Sequence, residues 1–325
     1  MAITLAEAKV GMTDKVDQKV IDEFRRSSLL LDKLTFDDTI SPSVGGGSTL
    51  QYGYIRLKSP STCGVRKINT EYTSGEAKRE EKTAKAVILG GSFEIDRVIA
   101  ETSGAVDEVK FQIEQKVKAG TNYFHNLVIN GTSAGSGVGF VANTFDGLKK
   151  ILDGTDTEIK TTIDLSTSTL LDQNYSEFLD EIDSFLSELD GKPDMLLMNN
   201  KMLTKLRSCA RRAGYYKKET NEFGKNVEYY DGIPLLDAGK YYDGSKTIDV
   251  IATETDNTTA IYAICLGLDG FHGISVNGSK MMKTYLPNFK EAGAVKKGEV
   301  ELIAGAVLKN TRKAGVLKGI KIKSA

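Results

Sequence analysis

The 325-residue sequence predicts an α+β fold. Three observations carry that expectation. Apolar stripes at helical spacing are segregated from alternating runs, without a strict strand–helix–strand rhythm. Thirty-two glycines accompany only 5 prolines, so the glycines read as turn and hinge residues between patterned segments rather than as linker. The length suggests about two domains, with most of the unfolded surface buried on folding.

Residues 14–34 place Val16, Val20, Phe24 and Leu31 at helical spacing, with Asp14, Lys15, Asp17 and Lys19 outside. This amphipathic helix runs towards the hinge Gly45-Gly46-Gly47, and a stripe with no nearby partner must dock elsewhere, so 1–47 reads as an N-terminal arm. From Ser48 to Leu57, Leu50, Tyr52 and Tyr54 alternate with polar residues before Ile55 and Leu57 take the opposite phase, which fits a strand with a bulge. A second strand-like run covers Thr83 to Val98. Between them, Arg66 to Lys82 holds nine charged residues in seventeen and is expected to be a solvated loop or a partner-binding tip. The segment 48–98 therefore reads as a long hairpin. Legs of about 20 residues would span about 60 Å, against a radius of gyration of about 20 Å for a compact chain of this length. Such a hairpin overshoots its own subunit.

Ala105 to Ile129 sets Val106, Val109, Ile113, Val117, Phe124, Leu127 and Val128 on one broad face, with Ser103 placed to cap and Asn130-Gly131 to stop the helix. A helix about 38 Å long is a strut, with Gly120 the expected place for any bend. After the Gly/Ser-rich stretch from Ser133 to Gly139, a second domain is expected. Tyr175 to Leu189 follows the helical template, Met195 to Met198 is a buried strand, and Asn199 or Asn200 caps a helix carrying Met202, Leu203, Leu206 and Cys209. Strands follow at Val227 to Asp237, Ile248 to Thr253 and Ala260 to Leu266. The C-terminal segment returns to alternation at Val300, Leu302 and Ala304, then at Val316, Ile320 and Ile322.

Composition removes several functions. Forty-three basic residues balance 44 acidic ones, so no polybasic nucleic-acid binder is indicated. The basic pairs, such as Lys149-Lys150 and Arg211-Arg212, read as solvated surface, leaving at most modest, salt-sensitive contact with nucleic acid. No stretch has 18 consecutive apolar residues and the N-terminus lacks a secretion signal, so no membrane association is expected and the protein starts in a cytosol. Cys63, Cys209 and Cys265 form no C-x-x-C pattern and are expected to be small buried or neutral residues. His125 and His272 are the only histidines. No catalytic, cofactor-binding or metal residue is expected. Gly239-Lys-Tyr-Tyr-Asp-Gly244-Ser245-Lys246-Thr247 resembles a phosphate loop, but Ser245 stands where lysine must follow glycine, so a strand-connecting turn is expected instead. Tyr215-Tyr216, Tyr229-Tyr230 and Tyr241-Tyr242 read either as core edges or as protein contacts.

Four local stretches then carry a resemblance. They are Phe145-Asp-Gly-Leu-Lys-Lys-Ile-Leu152, Met198-Asn-Asn-Lys-Met-Leu-Thr-Lys-Leu206 with Ala210-Arg-Arg-Ala-Gly214, Asp231-Gly-Ile-Pro-Leu-Leu-Asp237, and the ending Lys309 to Ile320. Their order and spacing, with arm, hairpin and strut helix, resemble the tailed-phage major capsid proteins of Hong Kong 97 type. The resemblance implies a non-enzymatic shell subunit with an arm (1–47), an E-loop (48–98), a P-domain with a spine helix (99–165), an axial A-domain (166–278) and returning P-domain strands (279–325). It implies self-assembly through pentamers and hexamers into an icosahedral virion shell in the host bacterial cytoplasm. Expected partners are scaffolding and portal proteins and, by weak non-specific contact, packaged double-stranded DNA. Val16, Val20, Phe24 and Leu31 of the arm, Arg66, Lys67, Arg79 and Lys82 of the hairpin, and Tyr215 and Tyr216 of the axial domain are the expected assembly residues. Some members crosslink an E-loop lysine to a neighbour, but none of Lys58, Lys67, Lys78, Lys82 and Lys85 aligns with that role. An encapsulin-like cargo compartment is the alternative from the same fold.

Overall fold

The computed structural model describes residues 33–38, 40, 50–102, 107–134, 144–214, 217–220, 226–276 and 282–323. Val16, Val20, Phe24, Leu31, Tyr215 and Tyr216, the glycine hinge 45–47 and the Ser103 cap lie outside the described residues.

In chain order the elements are β1 (Phe36–Asp37), β2 (Gln51–Ser59), β3 (Lys78–Lys85), β4 (Val87–Asp96), α1 (Arg97–Thr102), α2 (Glu108–Asn130), α3 (Leu148–Ile151) and β5 (Glu158–Lys160). Then come α4 (Ser168–Ser187), β6 (Met195–Met198), α5 (Asn200–Arg212), β7 (Lys217–Thr220), β8 (Asn226–Tyr230), β9 (Ile233–Asp237), β10 (Lys240–Tyr242) and β11 (Thr247–Asp249). The chain closes with β12 (Thr258–Ile264), β13 (Phe271–Ser275), β14 (Met282–Tyr285), β15 (Val295–Leu308) and β16 (Ala314–Lys321).

Two sheets build the body. The first is organised around β15, which pairs with β4 along one edge and with β14 and β13 along the other. The arm strand β1 adds in parallel to β13. Gly273 permits that addition, because a Cβ there would lie 2.4 Å from the Phe36 ring. The second sheet has seven strands in the order β5-β16-β12-β6-β9-β8-β7. Helices α4 and α5 cover one face through Phe178, Ile182, Phe185, Met202 and Leu206. The C-terminal half of α2 packs against the other face through Phe124, Leu127 and Val128. Covered on both faces, β6 is buried at all four residues, which explains why Met195-Leu-Leu-Met198 shows no alternation.

Caps and turns follow local chemistry. The Asn199 side chain accepts from Met202 N at 2.8 Å to start α5, and its amide donates to Ile251 O and Thr259 Oγ1. Asp231 and Gly232 both have positive φ, the requirement of a two-residue hairpin between β8 and β9. The strut helix is capped by Asp107, whose carboxylate accepts from Lys110 N, so it begins at Glu108 rather than at Ala105.

The hairpin differs from its expected form. Its second leg is the charged run β3, while Val87–Asp96 turns away at Ala86 to pair with β15. The paired legs are thus 9 and 8 residues, about 30 Å long. Alternation identified Val87–Asp96 as a strand but not its partner. The sheets also cross the expected divisions at 165 and 278. Strand β13 joins the first sheet, whereas β5 and β16 join the seven-stranded one.

Candidate assembly surface

The two faces of the β2–β3 ladder have opposite characters. Tyr52, Tyr54 and Arg56 face the subunit's own body, opposite Ala84, Lys82 and Glu80. Tyr52 is buried with Ile40, Ala86, Ile274 and Val307. Arg56 donates through Nε to Lys309 O at 2.8 Å and through Nη2 to Leu308 O at 2.9 Å. These charge-assisted bonds cap the end of β15 and fasten the hairpin base.

The other face carries two large apolar side chains that are exposed. Ile55 is 70% exposed and Leu57 56% exposed, opposite Glu81 and Arg79. Beyond the ladder every residue from Pro60 to Gly75 is exposed, including Val65, Ile68 and Tyr72. The tip is nevertheless shaped. Thr70 closes a turn onto Lys67 O, Asn69 takes a positive φ, and the Arg66 guanidinium lies 5.3 Å from the Tyr72 ring centre. Covering such a side chain is worth about 1.5–3 kcal/mol, so this face has a strong tendency to acquire a partner.

The four expected hairpin residues therefore separate. Arg66 and Lys67 lie in the tip, Arg79 shares the outer face with Ile55 and Leu57, and Lys82 lies on the inner face within 3.4 Å of Glu80. Reading charge alone missed the apolar residues. The phase switch at Ile55 was their signal, since it marks the face directed away from the body. The ladder's irregularity lies later, between Leu57 and Ser59. Cys209 and Cys265 are buried, whereas Cys63 is exposed in the tip, where the structure offers no core to bury it.

Both histidines and two of the three cysteines are buried. Burial lowers the His125 pKa to about 4 and also lowers that of His272, so both rings are neutral at pH 7. Burial raises the thiols of Cys209 and Cys265 to about 11. Among the described residues no cluster of metal-ligating side chains occurs. The phosphate-loop-like stretch forms β10 and β11 with a turn held by Asp243, whose carboxylate accepts from Ser245 N and Lys246 N, both at 2.8 Å. A cavity of about 420 Å³ lies between α2 and the seven-stranded sheet. Its charged lining is paired: Lys149 with Glu254 at 3.4 Å, Lys318 with Glu158 at 2.7 Å and Asp249 with Lys240 at 3.1 Å.

Comparison with known proteins places this architecture. No family model and no curated protein matches the sequence. Solved structures do match. A chain of the holo-SrpI encapsulin complex from Synechococcus elongatus PCC 7942 has a TM-score of 0.65 at 13% identity, covering 100% of this chain and 98% of that one. The capsid of Myoviridae phage XM1 gives a TM-score of 0.60 at 10% identity, over 98% and 99% of the two chains. Mycobacterium phage Ogopogo gives 0.61 at 13% identity, over 97% and 99%.

The chain has the Hong Kong 97-type capsid fold. Its solved neighbours are shell proteins, not enzymes. Within this fold, α2 and the β15 sheet share one core with the seven-stranded sheet, whose other face is covered by α4 and α5. No described helix is long and apolar enough to cross a membrane.

Proposed function

We propose that this chain is the major capsid protein of a tailed double-stranded DNA phage and assembles through pentamers and hexamers into the icosahedral shell. The observation that carries this reading is the hairpin, whose outer face holds Ile55 and Leu57 exposed while its inner face is bolted to the body by Arg56. A subunit that spends five large apolar side chains on an uncovered projection is built to be completed by another copy. The full-length likeness to phage capsids supports the same reading. The divisions expected from the resemblance, an arm over 1–47, an E-loop over 48–98, P-domain segments and an axial domain, belong to this proposal. So do scaffolding and portal partners, weak contact with packaged DNA and assembly in the host cytoplasm. The near balance of 43 basic and 44 acidic residues suits a wall that encloses DNA without gripping it.

An encapsulin-like cargo compartment is the second reading, supported by the likeness to the Synechococcus chain. Electron microscopy of the purified chain, alone and co-expressed with its neighbouring genes, tests both. Closed shells, rings or tubes are the expected result, with DNA as contents of particles assembled during infection. Co-purifying enzyme cargo favours the compartment. A strictly monomeric species under every condition overturns both.

A further inference from the structure

The hairpin base and the arm strand meet the body in a small core of their own. Its buried members are Ile40, Tyr52, Ala86, Ile274 and Val307, separate from the two larger cores. One ionisable ring closes it. His272 alternates with Phe271 on β13 and so shares the face of Ile274. It is 0% exposed, and neither ring nitrogen has a hydrogen-bond partner. The Tyr52 ring stands edge-on to it at 5.8 Å.

The surrounding charges come from every element packed there. β1 contributes Asp37, which accepts from the Tyr52 hydroxyl at 3.0 Å. β2 contributes the phenols of Tyr52 and Tyr54, and Lys309, just beyond β15, places its ammonium 5.3 Å from the Tyr52 ring centre. Burial, then the Lys309 charge, disfavours the imidazolium. The carbonyls of Gly267 and Gly270 and the charge of Asp37 favour it, but neither carbonyl is at hydrogen-bond geometry. The neutral ring therefore fits this core, and a proton added there creates a buried cation beside a second cation.

We propose that His272 is an acid-sensitive latch joining the hairpin base and the arm strand to the body, so that its protonation loosens both. Only a few residues hold this core together, and a single charge there acts on much of what anchors the two projections. The large cores, whose buried side chains near the hairpin are aliphatic and aromatic, keep the body folded. The latch does not depend on whether the shell encloses a genome or cargo.

Hydrogen exchange on the full chain tests it, with rates corrected for the intrinsic effect of pH. Between pH 7.5 and 5.0, protection across residues 50–59 is expected to fall about tenfold in a manner that depends on His272, while the pH response of the α4–α5 region follows global stability and so depends on His125 as well. His272→Leu is expected to hold hairpin protection within about twofold across that range, and His125→Leu to retain the wild-type response. His272→Gln, which also carries no titrating ring, serves if the leucine variant does not fold. No pH response in the wild type, an equal response in the His272 variants, or its loss in His125→Leu overturns the latch.

Discussion

The seven-stranded sheet and the β2–β3 hairpin obey the same strand rules but spend their apolar residues in opposite ways. In the sheet, Phe178, Ile182 and Phe185 of α4 close over Leu196, Ile261 and Leu317, so burial is complete within one chain. In the hairpin, Ile55 and Leu57 stand exposed on an outer face, and the inner face is held by Tyr52, Tyr54 and Arg56. The difference teaches where stability is stored: within the subunit in one region and, on the proposed reading of the hairpin, between subunits in the other. The two regions must then respond differently to substitution.

The largest expected effect is on assembly. Ser59 and Lys78 face one another in the ladder, so an Asn-Gly turn can replace residues 60–77 without disturbing it. This variant is expected to unfold within about 0.5 kcal/mol of the wild type by denaturant titration, and to form no closed shells by electron microscopy. A variant that loses its folded state would place the tip inside the cooperative core and erase the contrast. Phe178→Ala is the reverse case. It removes a fully buried ring and is expected to cost about 3–5 kcal/mol of unfolding free energy, while whatever protein stays folded still assembles.

A smaller effect comes from pH. His125 is buried in α2 and its folded pKa is lowered to about 4, from about 6.5 unfolded. A depressed pKa means that the unfolded chain binds the proton first, so stability is fully present above pH 6.5 and falls as pH drops towards 4. The integrated loss is on the order of 3 kcal/mol, readable as a fall in the denaturation midpoint between those pH values. His125→Leu is expected to flatten this dependence, leaving the smaller contribution of His272. A midpoint independent of pH would show that water reaches the ring.

Much of this division was legible in the residues. The stripe Phe178, Leu179, Ile182 and Phe185 needed only local rules and lies where periodicity placed it, and of the two cap candidates Asn199 and Asn200 the structure uses Asn199. Strand partnership was not legible. Val87–Asp96 and Lys78–Lys85 are both strands, and nothing local states that the first belongs to β15 and only the second to the hairpin. Charge also misled, because Arg79 and Lys82 look equivalent in sequence yet occupy opposite faces once the register is known. Which cysteine is exposed was not legible for a related reason: a cysteine is small and apolar anywhere, and only the fold reveals that Cys63 has no core near it.

The smallest expected effect sharpens the comparison most, because it concerns the joint between the regions. Arg56 contributes charge-assisted bonds to the carbonyls of Leu308 and Lys309 and lies beside the Tyr54 ring, 5.7 Å from its centre. Arg56→Met keeps much of the side-chain volume but removes the donors. Because the group is only partly buried, water replaces part of what is lost, and the expected change in global stability is about 1 kcal/mol or less. Locally the result should be larger: cleavage by thermolysin within 60–77 is expected to accelerate, since the hairpin base now opens without the rest of the subunit. Arg56→Lys separates geometry from charge. It keeps a cation but cannot span both carbonyls with one planar fork, and it is expected to resemble Arg56→Met in cleavage rate. If instead the lysine variant cleaves like the wild type, the base is held by charge near the end of β15 rather than by the fork, and the hairpin's angle is not fixed by Arg56.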